Sequence, residues 1–259
     1  MKVAVISDIH GNLPALEATL AVIDAAEIDE IWCLGDLVGY GAEPDACAQM
    51  VADRCTVSLV GNHDLAVLGE IDITTFSPPA AAAVRWTRVN VSEQTRSYLA
   101  SLRPSASRCE TGLFHASPRD PVWEYVLWPD QAAECLRSQS EQLSMVGHSH
   151  VALFFFLADG EGSSSGPPRT RSLPVQPQAR GAQATAGTEL VIDSGTWLVN
   201  PGSVGQPRDG DPRAAWIEFD PDARSVVYHR TEYDIQRAAE AIDEAGLPSH
   251  LGRRLYSGQ

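Results

Sequence analysis

Apolar positions along the chain recur with two different periods. Lys2 to Ser7 is a short β-branched run without helical spacing, whereas Leu13, Leu16, Leu20 and Ile23 recur every three or four residues, as one face of a helix does. Pro14 suits the first turn of that helix and Asn12 its cap. Ile31 to Leu34 reads as a second strand, Pro44 to Ala52 as a second helix and Thr56 to Val60 as a third strand. Strands alternating with helices of this length predict a mainly parallel sheet. The middle of the chain is alanine-rich and helical, over Pro79 to Val89 and then Glu93 to Leu102 behind a Ser92 cap, with a stop near Pro104. After Leu113-Phe114 and a helix over Asp130 to Arg137, strands dominate: Leu143 to Val146, Val151 to Leu157, Leu190 to Ile192, Ala214 to Phe219 and Ser225 to Thr231. Asp220-Pro221-Asp222-Ala223 suits a hairpin turn between the last two. Asp234 opens a final helix with Ile235, Ala238, Ala239 and Ile242 on one face, and Gly246 and Pro248 stop it.

One stretch breaks this order. Gly160 to Gly187 is rich in Gly, Ser, Pro, Gln, Ala and Arg and poor in large apolar side chains, so residues 160–187 are expected to be a flexible surface insertion. Too little chain follows it for an independent unit, and residues 1–259 are read as a single domain. With 44% hydrophobic and 20% charged residues the composition is that of a globular protein. A formal charge of −15 opposes nonspecific attraction to phosphate backbones and anionic lipid, which makes nucleic acid an unfavourable partner. The longest strongly apolar stretch, Val151 to Ala158, is far too short for a membrane span, and a cytoplasmic protein is expected. Cys33, Cys47, Cys55, Cys109 and Cys135 lack a CxxC pair and read as free thiols rather than a disulfide framework or thiolate zinc site.

The histidines carry the chemistry. Five of the seven lie in short polar clusters directly after expected strands: His10 in Asp8-Ile9-His10-Gly11, His63 in Gly61-Asn62-His63-Asp64, His115 after Leu113-Phe114, and His148 and His150 in Gly147-His148-Ser149-His150. Gly35-Asp36 again follows a strand. Ligands of open α/β sheets bind outside the carboxyl ends of the strands, so these clusters should converge on one crevice. If the backbone stays extended past Ser7, Asp8 and His10 point to one side while Ile9 turns into the core, and His148 and His150 pair in the same way. Asp36 can bridge two cations through its two oxygens, and Asn62 offers a neutral oxygen. Mixed oxygen and nitrogen donors without thiolates suit manganese, iron, zinc or nickel better than calcium. Any one of these clusters alone would read as a turn, a cap or a surface pair; their joint occurrence at strand ends points to a polynuclear metal site.

Asp8-Ile9-His10, Gly35-Asp36, Gly61-Asn62-His63-Asp64, His115 and Gly147-His148-Ser149-His150 resemble the signature of the calcineurin-like metallophosphoesterases. Asn200-Pro201-Gly202-Ser203 with Gly205-Gln206-Pro207-Arg208 is similar to the small bacterial branch of YfcE-type phosphodiesterases and diadenosine tetraphosphatase-like proteins. The resemblance implies a four-layer αββα sandwich of two mixed sheets flanked by helices, with the site at the strand carboxyl ends. It implies one divalent ion, manganese first, held by Asp8, His10, Asp36 and His150, and a second held by Asp36, Asn62, His115 and His148. It also implies that His63 acts as general acid or transition-state donor, with Asp64 orienting it. Two cations about 3.5–4 Å apart lower the pKa of a shared water and hold phosphate oxygens for in-line displacement, so a hydroxide between the ions is the expected nucleophile.

The activity expected is hydrolysis of a phosphodiester or phosphomonoester in a small or nucleotide-like substrate. The alternatives are a diadenosine tetraphosphate hydrolase, a protein serine/threonine phosphatase or, in a different class, a non-catalytic metal-binding scaffold. Arg208 is placed to grip a phosphate or else to pair with Asp209 or Asp211. Trp123, Tyr125 and Trp128 are candidates either to cap the pocket or to be partly buried in the core.

Overall fold

The structure, a computed structural model, describes residues 1–159 and 178–259. In chain order the first part contains β1 (Val3–Ile6), α1 (Leu13–Ala25), β2 (Glu30–Cys33), α2 (Pro44–Arg54), β3 (Val57–Ser58), α3 (Asn62–Leu68), α4 (Pro78–Asn90) and α5 (Glu93–Ser101). Then come β4 (Ser105–Arg108), β5 (Thr111–Phe114), α6 (Pro129–Ser138), β6 (Leu143–Val146) and β7 (Ala152–Leu157). Beyond residue 178 follow β8 (Arg180–Gln183), β9 (Glu189–Val191), β10 (Thr196–Pro201), β11 (Ala214–Asp220), β12 (Ser225–Thr231), α7 (Ile235–Glu244) and α8 (His250–Leu255). The anticipated caps form: Asn12 accepts from the Ala15 N–H, Ser92 from Thr95 and Asp234 from Arg237. Asp220 closes the β11–β12 hairpin by accepting from the N–H groups of Asp222 and Ala223.

Two six-stranded mixed sheets stack face to face, one in the order β3-β2-β1-β11-β12-β9 and the other β4-β5-β6-β10-β7-β8. Val3, Val5, Trp32, Leu34, Ile217 and Phe219 of the first sheet meet Leu113, Leu143, Met145 and Val199 of the second in a buried layer. Alternate residues face outward, where Ala4, Ile6, Ile31 and Cys33 pack under Leu16, Leu20 and Ile23 of α1 and Cys47 and Val51 of α2. On the far side Val146, Leu153, Phe155 and Leu198 pack against Ala132, Cys135 and Leu136 of α6. This is the expected four-layer sandwich.

Three differences from the sequence reading have physical causes. β10, parallel to β6 and antiparallel to β7, sits near the middle of its sheet, yet it carries Asn200 and Pro201, residues that elsewhere signal a turn. β8 falls inside the stretch 160–187: Arg180–Gln183 form an edge strand on β7, and the neighbouring Ala179 and Ala184 are buried. Main-chain pairing supports that strand although its side chains are exposed, so the expected insertion gives up its last part to the sheet, and residues 160–177 lie outside the described residues. β3 is reduced to Val57–Ser58, with Leu59 bridging to Arg103 instead.

Candidate metal centre

Each sheet contributes three neighbouring parallel strands, β1, β2 and β3 in one and β5, β6 and β10 in the other, and the site is built where they end. The loops beyond them stay hydrogen-bonded to one another. Asp8 N–H donates to Gly35 O and His10 N–H to Asp36 O, while Val204 and Gly205 N–H donate to Ser7 and Asp8 O, joining the loop after β10 to the loop after β1. The backbone here is not extended. Asp8, His10, Asp36, His148 and His150 all have positive φ, between 52° and 63°. Asp8 and His10 do face the same point with Ile9 fully buried in the core, but left-handed turns achieve this rather than strand alternation. Five non-glycine residues in that region, each costing about 1–3 kcal/mol, mark a site whose geometry the surrounding fold imposes. Gly147 allows the close approach: a Cβ on it would lie 2.1 Å from Ser7 Oγ and 2.9 Å from Asp8 Oδ2.

Two groups of ligand atoms result. Asp8, His10, Asp36 and His150 offer donors all within 4.8 Å of one another, as do Asp36, His115 and His148, and every one of these residues is buried. Nδ1 of His10 lies 3.1 Å from Val38 O, Nδ1 of His115 2.9 Å from Leu34 O, and Nδ1 of His150 2.7 Å from Gln206 O. A carbonyl oxygen only accepts, so these Nδ1 atoms carry the protons and the three Nε2 atoms present lone pairs to the site. His148 is the reverse, donating Nε2–H to Trp123 O at 3.2 Å and leaving Nδ1 free. Nε2 of His115 stands 3.2 Å from Asn62 Oδ1, again acceptor against acceptor. Asp36 Oδ1 takes the His63 N–H at 2.8 Å, whereas its Oδ2 is buried with no hydrogen-bond partner, 3.5 Å from His10 Nε2 and 3.6 Å from His115 Nε2. Burial pushes His10, His148 and His150 well down and Asp36 well up, the Asp64 charge adding to the last, and raises Asp8 to about 7. Neutral imidazoles and uncompensated carboxylates facing one another are what a pair of cations would satisfy, and the nitrogen and oxygen donors fit divalent transition metals.

His63 and Asn62 begin α3, at the floor of a cleft of about 940 Å³ lined also by Tyr40, Phe76, Trp123, Tyr125, Arg208 and Arg254. The His63 ring packs against those of His10, Tyr40 and Phe76, and its Nδ1 is buried without a partner, so its other edge serves the cleft. Asp64 does not reach that ring through any hydrogen bond. Its two oxygens accept from Val38 N–H and Gly61 N–H, both at 3.0 Å, which fastens the start of the helix bearing His63. Arg208 is tied by its N–H to His150 O and by Nη2 to Gln206 Oε1, with Nε buried and unpartnered. It pairs with neither neighbouring aspartate: Asp209 pairs with Arg230, and Asp211 with Arg213 and Arg230. Trp123 and Tyr125 border the cleft, with Tyr125 stacked on His148 at 4.0 Å, while Trp128 is 68% exposed and away from it. Tyr40, Phe76 and Arg254 went unread in the sequence. Arg254 comes from a helix near the end of the chain with no motif to announce it.

A sequence profile of the calcineurin-like phosphoesterase superfamily domain matches residues 1–222. An uncharacterised protein of Methanocaldococcus jannaschii is 37% identical over 262 aligned positions, covering 99% of this chain and 98% of that one. The crystal structure of a metallophosphoesterase from Sphaerobacter thermophilus superposes with a TM-score of 0.85 at 38% identity, covering 100% of both chains. A symmetrical bis(5'-nucleosyl)-tetraphosphatase of Actinobacillus pleuropneumoniae shares 34% identity over a 74-residue stretch, 27% of either chain. Fold, site and similarity agree, and the chain belongs to the calcineurin-like phosphoesterase superfamily.

Proposed function

We propose that the protein is a dinuclear metal-dependent hydrolase of small or nucleotide-like phosphate esters, with Asp8, His10, Asp36 and His150 holding one ion and Asp36, Asn62, His115 and His148 the other. The observation that carries this reading is the orphaned Asp36 Oδ2, set between the two groups of donors. The family resemblance puts manganese first, and the nitrogen and oxygen donors equally accept iron, zinc or nickel. When bound, the two ions supply Lewis acidity and an activated water.

The chain's own residues supply the rest. His63 lines the cleft beside the candidate ligands; burial and the Arg208 charge disfavour its charged form, so as general acid it would take up a proton only with the anionic substrate beside it and then pass that proton to the departing oxygen. Arg208, also lining the cleft, grips the phosphate, its carrier loop fixed by the buried Asp209–Arg230 pair. Phe76 and Trp123, edge to face at 5.4 Å, offer an apolar wall for a flat ring. The five unpaired cysteines support a reducing, cytoplasmic setting.

The test is a screen of the metal-reconstituted protein across phosphomonoesters, phosphodiesters and dinucleoside polyphosphates. Turnover that requires added metal and disappears with chelator is expected; binding of metal without turnover of any ester would return the scaffold reading.

A further inference from the structure

Resting on that reading, we propose that the cleft is built for a substrate with a second phosphoryl group beyond the one hydrolysed, and that Arg254 is the residue that selects for it. The substrate class is a nucleoside-diphosphate-like ester: a flat ring, two phosphoryl groups, and one of the two presented to the metal centre.

A chain of formal charge −15 places two guanidinium groups, Arg208 and Arg254, on the wall of one cleft. Neither is paired with a side-chain carboxylate among the described residues. Arg208 donates to Gln206 Oε1, lies 5.6 Å from the Tyr40 ring and leaves its buried Nε without a partner, while Arg254 donates to the main-chain oxygen of Gln259. The acid lining this cleft, Asp72, is turned to its own loop, accepting from Thr74 N–H and Oγ–H. Burial and the Arg208 charge both weigh against the charge on Arg254. Two like charges in one half-buried wall repel unless an anion lies between them, and one phosphoryl group gripped by Arg208 leaves Arg254 held only by the Gln259 oxygen.

Arg254 is also firmly mounted. Leu251 and Leu255 of α8 are buried with Ala238 and Ile242 of α7, Ala80 and Ala83 of α4, and Tyr40 at the cleft edge. Gly252 lets α8 settle against α7, since a Cβ there would stand 3.2 Å from Ala239. This arm lies outside residues 1–222, the part matched to the superfamily profile. The volume of about 940 Å³ is at the top of the range of roughly 300–1,000 Å³ for small-molecule sites, far more than one phosphoryl group fills.

The experiment compares wild type, Arg254→Gln and Arg254→Lys, each shown folded by its melting temperature, through two readouts. The first is titration calorimetry with adenosine diphosphate and adenosine monophosphate on manganese-loaded protein, the ion kept in excess of nucleotide. Wild type should bind the diphosphate at least tenfold more tightly, Arg254→Gln should erase that ratio and Arg254→Lys should restore part of it. The second is the ratio of kcat/KM for a nucleoside diphosphate ester to that for bis(p-nitrophenyl) phosphate, which should fall at least tenfold in Arg254→Gln, mainly through KM. Equal affinity of wild type for the two nucleotides, or an unchanged ratio in Arg254→Gln, overturns the proposal. Failure of the wild type to hydrolyse any ester would count against the function proposed above, and the calorimetric ratio would still decide the role of Arg254.

Discussion

His10 and His150 point the Nε2 edges of their rings at each other across 3.1 Å, and the opposite nitrogen of each ring donates to a carbonyl. Both rings are buried and held neutral, so two lone pairs meet where a hydrogen bond would need a proton. A divalent cation between them turns that repulsion into ligation. Chelation should therefore destabilise the fold as well as stop catalysis. Ions present at a hundredfold excess over Kd contribute about 3 kcal/mol, so a melting temperature roughly 5–10 °C lower in excess chelator is expected, with recovery on adding manganese. Identical melting curves with and without chelator would mean that the loops need no ion to hold these rings.

Asp64→Asn separates fastening of the helix start from orientation of the His63 ring. The amide can accept from only one of the Val38 and Gly61 N–H groups and turns a donor toward the other. A buried unsatisfied pair of this kind costs about 1–3 kcal/mol, so the melting temperature should drop by several degrees, with activity falling equally for good and poor leaving groups. An unchanged melting temperature with a selective loss on poor leaving groups would show that Asp64 acts through the His63 ring after all.

His63→Asn tests the proton. An alkoxide leaving group needs protonation in the transition state and a nitrophenolate hardly does, so the rate should fall about 10²–10⁴-fold for alkyl or nucleoside esters and far less for nitrophenyl esters. Equal losses across the series would assign His63 to charge stabilisation instead, and loss of metal would assign it to structure.

Much of this site was legible because its residues follow strands, and strands announce themselves by composition. Asp8, His10, Asp36, Asn62, His115, His148 and His150 all meet at one place, because parallel strands deliver their ends to the same edge. The sequence did not reveal how the chain turns there. Alternation along an extended backbone accounts for Asp8 and His10 facing together, yet both are left-handed, a state that nothing in Asp-Ile-His encodes locally and that the pairing of neighbouring loops imposes. β10 was hidden by the Asn200-Pro201 pair that ends it, whose Asn200 Nδ2 ties the strand to Gly147 O beside His148. α3 was hidden because its first residues, Asn62 and His63, read as chemistry rather than as a helix start. Arg254 is remote in sequence from every motif, and only the docking of α8 on α7 and α4 brings it to the cleft.

If Asp36 bridges two ions as proposed, metal content in Asp36→Asn measures it most directly. Replacing the carboxylate removes the oxygen that lies 3.5 Å from His10 Nε2 and 3.6 Å from His115 Nε2, one from each group of donors. Elemental analysis after loading with manganese and desalting should find about two ions per wild-type chain. The variant should hold less than one, together with loss of ester hydrolysis. Two fully retained ions with turnover near that of wild type would contradict the account.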